Sequence, residues 1–351
     1  VIKVWLRRVP LLTSLNFFRM HWWYYARMVL ARAGMVFPPE AVQLELTNAC
    51  NLKCVMCGTP NARRKTGLMG WDVFEAALSQ AGALGVPRLV FHTTGESLLH
   101  KELPRMVRVA KERRFQVFLS TNGMLLDKRR ATELLEAGLD QLRFSIEGAS
   151  KETYEAVRVG GRHDRLLANM QGLRRLRDET HSPMGITVNS VYMKETAPEV
   201  EQFYRTYGPL VDHIEWTYLG NQGNHMPEIV ARSSTVPTRR RAVRPCDQLW
   251  RSLVVSWNGD VTVCCVDLEN EMTVGNVLHD TLGQIWRNEQ YQRYRRLHLE
   301  GRQAELKLCG GCTSIQRYTS PYNKFLLNRR LRALGLGEPA GSRALRERGS
   351  P

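Results

Sequence analysis

Cys50, Cys54 and Cys57 stand at i, i+4 and i+7 directly after the apolar, β-rich run Val42-Gln43-Leu44-Glu45-Leu46-Thr47, and this spacing constrains the chain more than any other feature. On a loop leaving the end of a first strand, three thiolates can hold three irons of a cubane cluster. The fourth iron then has no protein ligand, and an open coordination position separates a reactive metal site from a closed structural one. Zinc, the bland occupant, takes four ligands in pairs such as CxxC, whereas this loop offers three with a longer first gap.

A chain of 351 residues is long enough for one sizeable domain and a smaller one. All eight cysteines fall into clusters that suit metal ligation rather than a disulfide framework, so a reducing cytoplasm is expected. The net charge of +16 is concentrated at the ends: residues 1–39 carry six Lys or Arg and no acid, and residues 324–351 carry seven against two acids. A basic end is ordinarily a solvated face, and less often one that meets an anionic membrane or a phosphate-bearing partner. Residues 1–38 mix Trp5, Phe17, Phe18, Trp22 and Trp23 with Arg7, Arg8, Arg19 and Arg27. Arg19 interrupts the apolar run, which leaves neither a transmembrane span nor a signal peptide. The segment reads as a helix packed on the body of the protein or as an interfacial helix at the inner face of a membrane. No nucleic-acid partner is expected.

From residue 41 to about 218, strands and helices alternate, which argues a parallel sheet covered by helices. The expected strands are 42–47, 88–93, 115–120, 140–146, 186–193 and 213–218. The stripes Val73, Phe74, Ala77, Leu78, Ala81 and Leu84, and Leu166, Leu167, Met170, Leu173 and Leu176, mark two of the helices. Asp127 and Gly138 read as the start and stop of another.

The CxxxCxxC loop resembles the cluster loop of the radical S-adenosylmethionine (SAM) enzymes. That resemblance implies a partial (β/α)6 barrel, a [4Fe–4S] cluster chelated by the amine and carboxylate of SAM, and reductive cleavage of SAM to methionine and a 5′-deoxyadenosyl radical that abstracts a substrate hydrogen. Thr93-Thr94-Gly95-Glu96 is similar to the family's GGE motif for the SAM amino group, with Thr94 in place of the first glycine. Asn122 and Ser145, at the ends of the third and fourth strands, match positions that contact the SAM ribose. Arg158 resembles an arginine that pairs with the SAM carboxylate. Glu147 replaces the aspartate common in the family and is one methylene longer. Without the resemblance, Asn122-Gly123 is turn chemistry and Arg158 a surface ion pair.

Residues 219–245 read as a linker or mobile loop, with Asn221, Asn224 and His225 near the barrel mouth. Beyond it, Cys246 precedes a hairpin of Leu253–Trp257 and Val261–Val266 turned by Asn258-Gly259. Cys264 and Cys265 close its second strand, a helix with Leu282, Ile285, Trp286, Tyr291 and Tyr294 follows, and then Cys309-Gly310-Gly311-Cys312. Consecutive strand residues face opposite ways, so one of Cys264 and Cys265 is expected to face the site. Cys264 is chosen because Cys246-x12-Gly259-x4-Cys264 resembles the opening of the SPASM extension. With no cysteine after Cys312, the extension resembles its shortened, one-cluster twitch form, with Cys246, Cys264, Cys309 and Cys312 as ligands of an auxiliary [4Fe–4S] cluster; a four-Cys zinc site is the alternative. The expected organisation is a basic N-terminal segment over 1–38, the barrel and linker over 39–240, an α+β auxiliary-cluster domain over 241–318, and a basic helix (323–336) and tail over 319–351.

A fully ligated auxiliary cluster can accept an electron, so the resemblance implies a radical oxidoreductase of dehydrogenase type. The radical takes a C–H hydrogen from a sugar, aminocyclitol or similar alcohol, a base takes the adjacent proton, and the cluster takes the electron. Asp267 is the candidate base, with structural pairing as the other account of it. The implied partners are a small-molecule substrate, phosphorylated or lipid-linked if the basic ends meet a membrane, and a reduced flavodoxin- or ferredoxin-type donor. Competing expectations are a peptide or protein maturase, a radical sugar epimerase or decarboxylase, and a non-catalytic iron–sulfur electron carrier.

Overall fold

The structure is a computed structural model describing residue 30, residues 35–235 and residues 245–314. Most of the segment expected over 1–38, the arginine run at 239–241 and the basic helix expected over 323–336 lie outside the described residues. No helix among the described residues is long and apolar enough to cross a membrane.

Strands β1 (Ala41–Leu44), β2 (Arg88–Phe91), β3 (Gln116–Thr121), β4 (Gln141–Ser145), β5 (Gly185–Tyr192) and β6 (His213–Tyr218) alternate with helices Trp71–Ala83, Leu103–Glu112, Lys128–Glu136, Lys151–Val157, His163–Glu179 and Val200–Tyr207. They pair in parallel in sequence order, as a β/α barrel wall requires. β7 (Ser252–Val255), β8 (Asp260–Thr262) and β9 (Thr273–Asn276) continue the same sheet, in the order β6-β5-β4-β3-β2-β1-β7-β8-β9. β7 lies parallel to β1, and the remaining pairs are antiparallel. The C-terminal hairpin is thus an extension of the barrel wall.

Side-chain alternation separates the two faces of this wall. Phe91 meets Phe74 of the first helix edge-on at 6.2 Å, and Trp216 meets Phe203 at 4.8 Å. The row of Leu89, Leu119, Leu142, Phe144 and Ile214 is buried with them. The opposite face carries polar residues alongside Val90, Phe118 and Val191. Ser120, Arg143, Thr187 and His213 sit side by side across β3 to β6, and Ser145, Asn189 and Glu215 form the next rung towards the strand ends. Arg143 Nε donates to Ser120 Oγ at 2.9 Å within the first rung.

The helix signals hold. Asp127 Oδ1 accepts from Arg130 N at 2.8 Å, and Gly138 sits just past that helix at φ +80°. Three expectations change. β8 stops at Thr262, so Cys264 and Cys265 lie in the following turn and strand alternation does not choose between them. The helix expected over Leu282–Tyr294 is two, Leu282–Arg287 and Glu289–Leu299. The break is at Asn288, whose side chain caps the second helix by accepting from Tyr291 N at 2.8 Å. Strand β9 was not anticipated.

Asp212 secures the wall from beneath. It accepts from Arg177 Nη1 at 2.6 Å and from Ile186 N at the start of β5 at 2.7 Å, and both side chains are largely buried. Arg177 also holds Asp178 through Nη2 at 3.1 Å, so removing Asp212 leaves Ile186 N and Arg177 Nη1 short of a partner rather than a bare charge, at a cost of about 1–3 kcal/mol. Asp212→Ala is expected to lower the melting temperature and speed amide exchange at Ile186; unchanged exchange there would show that the pair does not hold β5.

Candidate active site and metal centres

The cysteine loop leaves β1 through Leu46 and Thr47 and is drawn onto the barrel mouth by contacts from two strand ends and the end of the helix Lys151–Val157. Glu96 N donates to Ala49 O at 2.7 Å. Asn122 Nδ2 donates to Asn51 Oδ1 at 2.8 Å, and Lys53 N and Val55 N donate to Val159 O and Val157 O at 2.8 and 3.0 Å. Gly95 makes the closest approach. Its φ is +71°, and a Cβ there would lie 2.3 Å from Thr47 O and 2.6 Å from Ala49 O, so only glycine fits.

Cys50 is exposed, Cys57 partly so and Cys54 buried. Although the residue is exposed, protein packed around its sulfur desolvates the Cys50 thiol and pushes it up to about 11, and neighbouring Glu96, Cys54 and Cys57 add to the rise. The Cys54 thiol is also raised, by burial first. Such thiols stay protonated until a metal takes the proton's place. N–H donors surround them: Leu52 N lies 3.5 Å from Cys50 Sγ, Arg158 Nη1 3.6 Å from Cys54 Sγ and Asn122 Nδ2 4.0 Å from Cys50 Sγ. Three thiols close enough to raise one another's pKa, two of them met by N–H donors, suit an anionic iron–sulfur cluster.

Glu96 is buried under the loop. It accepts from Asn122 N (2.7 Å), Thr121 Oγ1 (2.8 Å) and Leu98 N (3.1 Å). Burial still raises its carboxyl above the usual range, against those bonds and the pull of Arg158. Arg158 is fixed between the loop and β4. Its Nε bonds Glu147, whose other oxygen accepts from Val191 N at 3.2 Å. Burial works against the Arg158 charge, but Glu147 and Cys54 outweigh it. Ser145 lies one rung away beside Asn189. The structure therefore gathers Glu96, Asn122, Glu147 and Arg158 around the cysteine loop.

Thr94 differs: its hydroxyl donates to Glu45, a buried carboxylate at the end of β1. Arg64 Nη2 holds the same Glu45 oxygen at 2.6 Å and donates through Nε to Leu268 O at 3.1 Å. Sequence reading passed over Glu45. Its signal was the alternation Val42-Gln43-Leu44-Glu45-Leu46, which puts Gln43 and Glu45 on one face and the buried apolar residues on the other.

Cys246, Cys264, Cys265, Cys309 and Cys312 line one narrow cleft with Val266, Leu308 and Ser314. Among the described residues no three metal-ligating side chains converge tightly enough for a single ion. Their gathering on one cleft suits the ligand set of an iron–sulfur cluster. Burial pushes Cys246 up to about 12 and raises Cys309 further. Cys264 is also raised, first by its hydrogen bond with Cys265 and then by burial. His298 Nδ1 accepts from Cys246 N at 3.1 Å, and burial lowers this imidazole to about 4, keeping it neutral. Asp267, next to the cleft, accepts from Glu271 N at 2.9 Å and Met272 N at 2.8 Å, and burial raises its carboxyl. Both of its oxygens hold a turn.

Two family models match the chain. The radical SAM superfamily matches residues 44–206, and the SPASM iron–sulfur cluster-binding domain matches residues 246–313. The chain belongs to the radical SAM superfamily. It is a radical SAM enzyme with a SPASM-type auxiliary domain, and its cofactors are a SAM-binding [4Fe–4S] cluster, an auxiliary cluster and SAM. It is 23% identical over 290 residues to the S-adenosyl-L-methionine-dependent 2-deoxy-scyllo-inosamine dehydrogenase of Niallia circulans, covering 82% of this chain and 97% of that one. Among solved structures, BtrN in complex with AdoMet and 2-DOIA superposes with a TM-score of 0.59 at 21% identity, covering 80% of this chain and 94% of BtrN. SuiB of Streptococcus suis bound to precursor peptide SuiA superposes with a TM-score of 0.63 at 15% identity, covering 84% and 76%. At these identities the superpositions establish the fold.

Gly95→Ala is expected to cost about 1–3 kcal/mol through the left-handed backbone alone and more through the carbonyl clash. Iron incorporation at the first loop should fall, read by iron content after anaerobic reconstitution; wild-type content would show that the loop can shift. Cys264→Ala and Cys265→Ala, compared in the same way, separate the two thiols. Loss of the auxiliary iron from Cys264→Ala alone is expected, and loss from Cys265→Ala alone would reverse the choice.

Proposed function

We propose that the enzyme oxidises a carbinol of a small polyhydroxylated or aminated substrate, of the sugar or aminocyclitol class, to a carbonyl. The observation that carries this reading is the second cysteine set. Five thiols on one cleft can supply every ligand of the auxiliary cluster, which suits it to taking an electron rather than binding substrate. The polar rungs of the barrel face add support. Hydroxyl, guanidinium, amide, imidazole and carboxylate groups at Ser120, Arg143, Asn189, His213 and Glu215 match a ligand rich in hydroxyls and amines. A dehydrogenase acting on 2-deoxy-scyllo-inosamine is matched over 97% of its own length by 82% of this chain.

When bound at the first loop, the reduced cluster and SAM supply methionine and a 5′-deoxyadenosyl radical. In this reading Glu96 receives the SAM ammonium, a charge-assisted contact that favours its ionised form. Gly95 and Thr94 shape the approach, Asn122, Ser145 and Glu147 face the ribose, and Arg158 orients the carboxylate while Glu147 fixes its plane. Cys50, Cys54 and Cys57 ligate the first cluster, and Cys246, Cys264, Cys309 and Cys312 the second. Asp267 is the proposed proton acceptor. Its raised carboxyl suits that role, and its two backbone hydrogen bonds suit a structural one equally.

Turnover also needs an external one-electron donor. A reduced flavodoxin or ferredoxin suits the basic chain, whose net charge is +16. The basic ends further support a phosphorylated or lipid-linked substrate met at an anionic membrane. Liposome flotation tests this: full-length protein should float with anionic vesicles and protein lacking residues 1–38 should not, and equal retention would remove the membrane from the proposal.

The central test is iron and sulfide counting after anaerobic reconstitution, with dithionite-driven SAM cleavage. The wild type should hold about eight irons and the Cys50→Ala, Cys54→Ala, Cys57→Ala variant about four, with 5′-deoxyadenosine from the wild type alone. About four irons in the wild type, with zinc retained, would remove the electron acceptor and leave a redox-neutral radical reaction.

A further inference from the structure

The segment joining the barrel to the auxiliary domain is hydrogen-bonded to the residues that adjoin Cys57 and Cys312. Gly58, which follows Cys57, donates its backbone N–H to Gln222 Oε1 at 2.8 Å. The preceding residue, Asn221, grips the other set around Cys312. Its Nδ2 donates to Gly311 O at 2.8 Å, its Oδ1 accepts from Thr313 N at 2.9 Å, and its own N–H donates to Thr313 Oγ1 at 2.9 Å. Cys57 and Cys312 are therefore joined by a continuous path of short hydrogen bonds through two adjacent residues, one of them 4% exposed.

The backbone of this segment is unusual. Gln222, Gly223 and Asn224 have φ of 47°, 65° and 72°, three consecutive residues in the left-handed range, where glutamine is seldom found. Such a conformation persists only where its surroundings over-determine it, and it concentrates at functional sites. Gly223 shows the constraint: a Cβ there would lie 2.4 Å from Leu308 Cδ1, beside Cys309. A solvated linker would need none of these features.

We propose that Asn221 and Gln222 form a positioning bridge that fixes the separation between the barrel cysteine loop and the Cys309–Cys312 loop. The inference rests on the electron path proposed above. Abstraction of the carbinol hydrogen places that atom in 5′-deoxyadenosine and leaves a ketyl radical on the substrate. Loss of the hydroxyl proton to a base and of one electron to the auxiliary cluster completes the carbonyl. Electron transfer weakens steeply with distance, so the position of the acceptor is part of the reaction, and this bridge ties acceptor and radical source together.

The test uses the full-length, anaerobically reconstituted protein and its Gln222→Ala and Asn221→Ala variants. Hydrogen exchange is followed over residues 54–58 and 310–314, and pulsed EPR gives the distribution of separations between the two reduced clusters. Each substitution should speed exchange about tenfold at both ends and broaden the separation, while Gln222→Glu, which keeps an oxygen for Gly58 N–H, should restore the slow exchange at both. Faster exchange only at the substituted residue's own partner, or an unchanged width of separation, would overturn the bridge. A wild type holding about four irons would defeat the electron-acceptor reading instead, and coupled exchange at the two ends would still establish the bridge itself.

Discussion

Strand β1 is hydrogen-bonded in parallel on both edges, to β2 and to β7, and the rest of the active region depends on that double pairing. The ladder to β2 brings Gly95 and Glu96 beneath the cysteine loop. The ladder to β7 continues past the strand through Glu45 N to Val255 O at 2.9 Å and brings the C-terminal hairpin alongside. A parallel pair fixes direction as well as register, so the carboxyl ends of β1, β2 and β7 open at the same side of the sheet. The two cysteine sets, nearly two hundred residues apart from Cys57 to Cys246, are linked across this sheet by Asn221 and Gln222, which bond to Gly311 and Gly58.

Much of this was legible because the signals were local. Three cysteines at fixed spacing, a helix start at Asp127 and an Asn-Gly turn at 258–259 each depend on a few adjacent residues. Glu45 was missed because its importance lies in what reaches it: Arg64 from the following loop and Thr94 from the next strand. The break at Asn288 was hidden by an apolar stripe that continues in helical phase on both sides of it, while the cap that breaks it is a single side chain. β9 has four residues, one of them glycine, and exists because Asp260 to Thr262 offers an edge to pair with. Strand alternation does not sort Cys264 from Cys265, since β8 ends before either, and the preference for Cys264 rests on the resemblance of its spacing to the SPASM opening alone.

The polar groups gathered at the cysteine loop are already held by other parts of the protein. Glu96 accepts three hydrogen bonds, and Arg158 is locked by Glu147. A buried ion pair is poor evidence for stability, because desolvation offsets most of its attraction. Its value here is orientation: a guanidinium fixed at Nε keeps its far edge aimed in one direction, beside Cys54. Donors and charges oriented before a ligand arrives need not reorganise when charge changes there, and that is where electrostatic stabilisation is most effective.

The same reasoning explains a barrel wall with such different faces. The outer row is aliphatic and aromatic and sealed by helices, and it supplies the burial that holds the sheet together. The inner rungs spend that stability on groups that contribute little to folding and are costly to bury unless partnered. Arg143 and Ser120 satisfy each other across β3 and β4, and Arg64 offsets the charge of Glu45. A wall needed only as scaffold would be apolar on both faces, as enclosed parallel sheets ordinarily are. Polar side chains gathered on the inner rungs, next to the strand ends that carry the cysteine loop, suit a hydrophilic molecule held beside a radical source.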